Sequence, residues 1–352
     1  MNSSRNMTRH YHAQELLTTP SSIFGALIAD IQRARETIDM EYYIFANDRT
    51  GRLFANLLRR KSRQGIRVRL IVDGYGSRSM TRDMRLGMVN DGVELNRHSI
   101  LSHSRFHRKM AVIDRQVAHI GGVNIADRYV VGDSLGQWHD AQLRIADDSV
   151  GTISRLFDYD YMVSEGLNCE VPMAYRRGEV ELFWSELHGG RAMPELLNHT
   201  ICSARRSLTL VTPYFMPPQS VIEQLSEAKK RGVRVMVVLP ERCDVWILDD
   251  IIRGRIREAV RQGVDVRLSR GSFVHAKMAL VDSRCVVLGS ANLDSRSINL
   301  NREIMVLTTN RGVVTAAQRF TNQLLQHTTP PSPRDMHSVI PQFVGRMFEG
   351  LL

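Results

Sequence analysis

At 352 residues the chain is long enough for about two domains that each bury a core, which excludes a mini-protein stapled by disulfides or zinc. Its 43% hydrophobic and 24% charged residues are those of a folded globular protein, neither disordered nor fibrous. A net charge of +10, from 47 Lys and Arg against 37 Asp and Glu, favours a polyanionic partner: nucleic acid, a phospholipid surface or a phosphate substrate. The four cysteines, Cys169, Cys202, Cys243 and Cys285, show no CxxC pair and no zinc-ligand spacing, and read as buried or incidental thiols in a reducing compartment. The first twenty residues lack the apolar core of a signal peptide, and no stretch approaches the roughly 18 apolar residues of a membrane span, so any membrane contact is expected to be peripheral.

In chain order, an apolar run ends in Glu41, Tyr42, Tyr43, Ile44 and Phe45, followed by an amphipathic helical stretch from Phe54 to Gln64. Strand-like Ile66 to Val72 comes next, then Gly92 to Leu95, then His107. The second half repeats the plan: Leu208 to Phe215 with Tyr214, a helical stretch from Ile222 to Arg231, Val233 to Leu239, Gly263 to Val266, then His275. Tyr43 and Tyr214, Arg67 and Arg234, Gly92 and Gly263, and His107 and His275 are all offset by roughly 170 positions, which argues for duplication. Short β-branched runs alternating with amphipathic helices make the fold class α/β, with two pseudo-symmetric lobes.

Expected boundaries are an N-terminal extension at 1–22, a first lobe at 23–165, a connector at 166–195 and a second lobe at 196–326. The run Thr328, Thr329, Pro330, Pro331, Ser332, Pro333 marks a semi-rigid linker at 327–340. Apolar pairs every four residues, from Val339 to Leu352, predict an amphipathic helix at 341–352 that either docks on protein or enters a bilayer interface. Between Arg49 and Arg69 stand eight basic residues and no acidic one, a solvated helix face or an anionic-lipid contact. With Phe54 as the one aromatic in that segment, nucleic-acid binding is not expected.

Each repeat ends in the same spacing. His107, Lys109 and Asp114 precede Gly121, Gly122 and Asn124; His275, Lys277 and Asp282 precede Gly289, Ser290 and Asn292. The chain has five lysines, and two occupy these matching places. On a strand, residues two apart share a face, so each His lies beside its Lys; the acids, seven residues on, have the opposite parity. Asp114 and Asp282 close the motif and are grouped with its catalytic candidates, but a structural acid tied to an Arg or to backbone N–H groups is the preferred reading. Gly122, Asn124, Ser290 and Asn292 are candidates for holding phosphate oxygens.

Two facing imidazoles suffice for phosphodiester chemistry: one attacks phosphorus, the other protonates the departing alkoxide, and no metal or other cofactor is called for. The two lysines and two asparagines would stabilise the charge of the pentacoordinate transition state. Water as the second-step acceptor gives hydrolysis; an alcohol gives transfer.

The paired motifs HRKMAVID and HAKMALVD resemble those of the phospholipase D superfamily, over roughly residues 23 to 326. Within it, EYYIF (41 to 45), IRVRLIVDGYGS (66 to 77), GGVNIADRY (121 to 129), TPYFMPP (212 to 218) and GSANLDSRSINLNRE (289 to 303) look like bacterial cardiolipin synthases. The resemblance implies lobes of mixed sheet flanked by helices, with the active site at their interface. It implies a phosphatidyltransferase acting through phosphohistidine on phosphatidylglycerol or a related phospholipid, peripheral on the cytoplasmic face of a bacterial membrane. It implies His107 as nucleophile and His275 as acid and base, although motif symmetry alone permits the reverse. Asp140 and Glu303, about 30 residues past each histidine, are the carboxylates that by resemblance orient an imidazole, often that of the opposite lobe. Hydrolytic phospholipase D, a phosphodiester nuclease and a non-catalytic lipid-binding scaffold are the rival readings. Donor and acceptor lipid and oligomeric state are left open.

Overall fold

Strands Thr37–Tyr42 and Arg67–Asp73 pair in parallel, from Thr37 opposite Arg67 to Tyr42 opposite Val72, and helix Arg49–Arg63 makes the crossover between them. Nearly every residue of the two strands is buried, the pattern of a sheet covered on both faces. Asp48 caps the helix by accepting from the Gly51 N–H. The second lobe repeats the unit with parallel strands Ser207–Val211 and Arg234–Pro240 around helix Gln219–Lys230. The computed structural model describes residues 13–338 apart from 168, 173 and 187–189, with no account of the side chains of 246 and 247. The helix expected at 341–352 lies outside the described residues.

Both lobes build a mixed sheet in the same strand order. In the first the order is Gln14–Leu17, Gln142–Ile145, Val117–Gly121, Lys109–Ile113, Thr37–Tyr42, Arg67–Asp73, Glu94–His98. In the second, Ile304–Thr308, Cys285–Gly289, Met278–Val281, Ser207–Val211, Arg234–Pro240 and Asp265–Ser269 take the places of the last six. The edges differ. Gln14–Leu17 pairs antiparallel with Gln142–Ile145, and helix Pro20–Arg33 starts ahead of residue 23, so described parts of the expected 1–22 extension belong to the first lobe. Thr328–Thr329, within the expected linker, pairs with Ser269 and Leu268 at the edge of the second sheet. These edge additions satisfy backbone groups that water would otherwise have to hold.

Apolar side chains gather in three clusters. One per lobe packs helices such as Arg49–Arg63 and Trp246–Arg261 on an outer sheet face. The third lies between the lobes, where Met110, Val112 and Ile120 of one sheet meet Met278, Leu288 and Val306 of the other, with helices Val150–Ser164 and Arg311–Leu325 closing it. This shared core orients the lobes and brings the motif-bearing strands Lys109–Ile113 and Met278–Val281 to one interface. The expected two-lobed α/β architecture is the one observed. No described helix is long and apolar enough to cross a membrane.

Candidate active site

The lobes exchange backbone hydrogen bonds at the two histidines. His107 N–H donates to Arg302 O at 3.1 Å, and His275 N–H to His139 O at 2.8 Å. Each acceptor immediately precedes its lobe's acid, Glu303 or Asp140. The side chains repeat the exchange: His107 Nδ1 lies 2.7 Å from Glu303 Oε1, and His275 Nδ1 lies 2.6 Å from Asp140 Oδ2. Strand Ser272–Val274 also pairs in parallel with Gln137–His139 of the other lobe. Each imidazole thus comes from one lobe and is oriented by the other. A carboxylate at Nδ1 holds the ring hydrogen there, leaving Nε2 as the working atom of each ring.

His107 lies two residues ahead of strand Lys109–Ile113 and His275 lies between strands Ser272–Val274 and Met278–Val281, and their lysines fold back over them. Lys109 Nζ donates to His107 O at 2.5 Å and Lys277 Nζ to His275 O at 2.6 Å. Lys277 Nζ is also 3.0 Å from each nitrogen of the His275 ring. Burial brings Lys109 down to about 7 and Lys277 to about 8, and lifts Glu303 to about 7. His107 is held well below the usual imidazole value, first by burial and then by Lys109, Lys277 and Arg296. His275 falls to about 4 through burial and Lys277, with Asp140 pulling the other way. Lys277 therefore acts on His107, and Asp140 on Lys109, so the two motifs share one electrostatic environment.

The Gly/Asn tails serve different ends. Ser290 Oγ donates to Glu303 Oε2 at 2.6 Å and so braces the acid behind His107. Gly122, its counterpart, lies against Asp140 instead. Asn124 is engaged by protein, its Oδ1 accepting from Ile44 N–H at 3.0 Å and its Nδ2 donating to Tyr129 OH at 2.6 Å. Asn292 keeps a buried Oδ1 with no protein donor among the described residues, and borders a small cavity with Lys277 and Thr212. The Asn292 amide group is hydrogen-bonded to Asp294, and its free atom is an acceptor, so neither asparagine offers a free amide donor to a phosphate oxygen.

Asp114 and Asp282 are not brought to the imidazoles. Each begins a hairpin turn with φ of 51°, followed by a residue at 55°, a two-residue left-handed turn that Asp tolerates. Asp114 accepts from the N–H groups of Arg35, Glu36 and Thr37, and Asp282 from those of Arg205, Arg206 and Ser207. They tie each hairpin to the start of its neighbouring strand, which takes them out of the catalytic grouping. These backbone donors hold both carboxyls below the usual range, against the opposing effect of burial.

Several residues at the site lie outside the repeated His, Lys and Asn spacing. Trp138 and Tyr129 enclose the His275 ring, each with its centroid 5.2 Å away, and Tyr43 stands edge-on to His107 at 4.8 Å. Tyr214, its repeat partner, donates its hydroxyl to Asp244 at 2.6 Å. Behind His107, Arg108 and Arg302 both bond the fully buried Asp160, and Arg108 also donates to Ser185 O at 2.6 Å and Glu303 O at 3.2 Å. Glu41 joins this cluster, its carboxyl raised well above the usual range by burial and by Asp160. The HRK of one motif against the HAK of the other is a trace of this asymmetry in the sequence, as is Arg302 against His139 ahead of the two acids. Among the described residues no group of three or more His, Cys, Asp or Glu side chains is arranged to hold a metal ion.

A duplicated α/β chain with cross-oriented imidazoles at the lobe interface has the architecture of the phospholipase D class. The family described as "Cardiolipin synthase, PLD-like domain" matches residues 27–158 and 197–327, one match per lobe. The chain belongs to this family. It is 28% identical to "Probable cardiolipin synthase YwiE" of Bacillus subtilis (strain 168), over 96% of this chain and 72% of the relative. It is 32% identical to a cardiolipin synthase of Geobacillus kaustophilus (strain HTA426), over 82% of this chain and 61% of the relative. The chain thus spans from 61% to 72% of the length of these curated relatives. A crystal structure of phosphatidylserine synthase from Haemophilus influenzae Rd KW20 has the same fold at a TM-score of 0.77 and 15% identity, covering 96% of this chain and 93% of that one.

Proposed function

We propose that the protein is a phosphatidyltransferase that joins phosphatidylglycerol, or a related phospholipid, to a headgroup hydroxyl of a second phospholipid. The observation that carries this reading is the crossed pair His107–Glu303 and His275–Asp140, within a chain of the cardiolipin synthase family. His107 Nε2 gives its lone pair to phosphorus while the P–O bond to the headgroup alcohol breaks, and His275 Nε2–H supplies the proton to that alkoxide. In the second step an incoming hydroxyl returns a proton to His275, its oxygen bonds phosphorus and the P–N bond to His107 breaks. Burial and the cations Lys109, Lys277 and Arg296 keep His107 neutral, as a nucleophile must be, while the Asp140 carboxylate behind His275 favours the imidazolium form that donates the proton. The ammonium groups of Lys109 and Lys277 supply positive charge and donors to the non-bridging oxygens.

The protein acts in this reading as a peripheral enzyme on the cytoplasmic face of a bacterial membrane, in contact with anionic lipid. Purified protein is incubated with phosphatidylglycerol vesicles and the lipids are analysed by mass spectrometry. Cardiolipin with free glycerol is the expected outcome. Phosphatidic acid as the sole product would make the protein a hydrolase, and nicked DNA without lipid turnover a nuclease.

A further inference from the structure

The exposed apolar side chains of the first lobe include an adjacent pair, Ile100 at 45% exposure and Leu101 at 90%, on a loop six residues ahead of His107. The loop is held in place by both lobes: Ser104 Oγ donates to Leu300 O at 2.9 Å and Arg296 Nη2 to His103 O at 2.6 Å. Beside it stands Tyr75, 45% exposed, with the Arg105 guanidinium 4.6 Å and that of Arg78 5.0 Å from its ring centre. Arg105 reaches back to Ile100 O at 3.2 Å, and Arg97 donates to Gly74 O at 3.0 Å. Gly76, next to Tyr75, lies against the Tyr43 ring, which in turn meets His107. A chain of contacts therefore links the loop and Tyr75 to the nucleophile.

Charge distinguishes this patch from the other basic candidate. In the 49–69 segment, Arg59 pairs with Asp91, Arg67 with Glu94 and Arg69 with Asp39 and Asp158, while Lys61 is buried on the carbonyls of Gln32 and Ala34. Much of that charge is already balanced within the protein. Arg78, Arg97 and Arg105 enter no ion pair with a carboxylate among the described residues; their donors rest on backbone carbonyls. Cations around an aromatic and two aliphatic side chains match the interface of an anionic bilayer, where phosphates meet the guanidiniums and acyl chains meet the apolar tip.

We infer that the loop tip Ile100–Leu101, with Tyr75, Arg78, Arg97 and Arg105, is the surface that seats the enzyme on an anionic phospholipid bilayer and delivers lipid to His107. This rests on the proposed lipid substrate and adds where that lipid enters. Leu101 and Ile100 face solvent, so glutamate there leaves the fold intact.

The full-length Ile100→Glu/Leu101→Glu variant is compared with wild type for co-sedimentation with phosphatidylglycerol–phosphatidylcholine vesicles, and for turnover of short-chain phosphatidylglycerol below its critical micelle concentration. Leu53→Glu, on the exposed face of helix Arg49–Arg63, is the control. Expected are about a tenfold loss of vesicle binding, unchanged short-chain turnover and an unaffected control. Unchanged vesicle binding overturns the inference, as does an equal loss of short-chain turnover. A change in oligomeric state with vesicle binding intact overturns it too, and makes the patch a contact between copies. Should the protein make no cardiolipin yet lose vesicle binding through the loop, the surface stands while the transferase reading falls.

Discussion

Gly122 Cα lies so close to the Asp140 carboxylate that a Cβ there would stand 2.3 Å from Oδ1 and 2.8 Å from Oδ2. A serine like the one the second lobe has at 290 would therefore push Asp140 aside, because the carboxylate fills that space, whereas Glu303 is held by the Ser290 hydroxyl. Gly122→Ser, which makes the motifs symmetric, is expected to displace Asp140 from His275 and to lower kcat about 10- to 100-fold, with KM changing little. Steady-state kinetics on short-chain phosphatidylglycerol measure it; wild-type kcat would show that the contact has no bearing on catalysis.

The division of labour between the histidines predicts where the covalent intermediate forms. Phosphohistidine is acid-labile and acyl esters are alkali-labile, so the reaction is stopped with denaturant near neutral pH and the peptides are mapped by mass spectrometry. A phosphatidyl adduct is expected on His107 and none on His275, and either histidine changed to Asn lowers turnover by about a thousandfold or more. An adduct on His275 would reverse the roles.

The pH profile follows from three buried groups. Glu303, raised to about 7, gains a proton as pH falls through that value and ceases to be the anionic partner of His107. Lys109 and Lys277, lowered to about 7 and about 8, lose their charge as pH rises through those values, and with it their hold on the phosphate. A narrow bell with its maximum near 7 is expected in kcat/KM, because the acid limb of Glu303 and the alkaline limb of Lys109 meet there. In Glu303→Gln the maximum drops and the acid limb disappears while the alkaline limb stays; an acid limb unchanged near pH 7 would assign it to another group.

Asp160 bridges two buried guanidiniums, so Asp160→Asn leaves Arg108 and Arg302 with an uncompensated charge. A loss of about 3–5 kcal/mol is expected from urea unfolding. A loss below about 1 kcal/mol would mean that the cluster is not anchored through Asp160.

Asp282 contributes through its turn instead. Asp282→Ala removes the acceptor of three backbone N–H groups and is expected to lower stability by about 1–2 kcal/mol with kcat within about twofold of wild type. Its carboxyl is lowered in the folded state, so this contribution is present above the unfolded-state value and lost as pH falls through the folded one. Urea unfolding at pH 7 and at pH 3 tests both halves: the variant and wild type differ at pH 7 and converge toward pH 3.

Much of this protein is written in short-range pattern. The apolar runs at Thr37–Tyr42 and Ser207–Val211, the amphipathic helices after them and the repeated His, Lys and Asp spacing depend on periodicity and local backbone preference, which neighbouring residues impose on one another. These were enough to read two α/β lobes and to name both histidines and both lysines. What crosses from lobe to lobe is set by tertiary packing. His107 meets Glu303 across 196 positions and His275 meets Asp140 across 135, and no local pattern records such a separation. The same holds for Arg108 and Arg302 converging on Asp160, for Trp138 covering His275 and for the carboxylate that fills the space beside Gly122. Spacing can place an imidazole on a strand; which charge stands behind it, and whether water reaches it, is decided by the docking of two sheets on a shared apolar core.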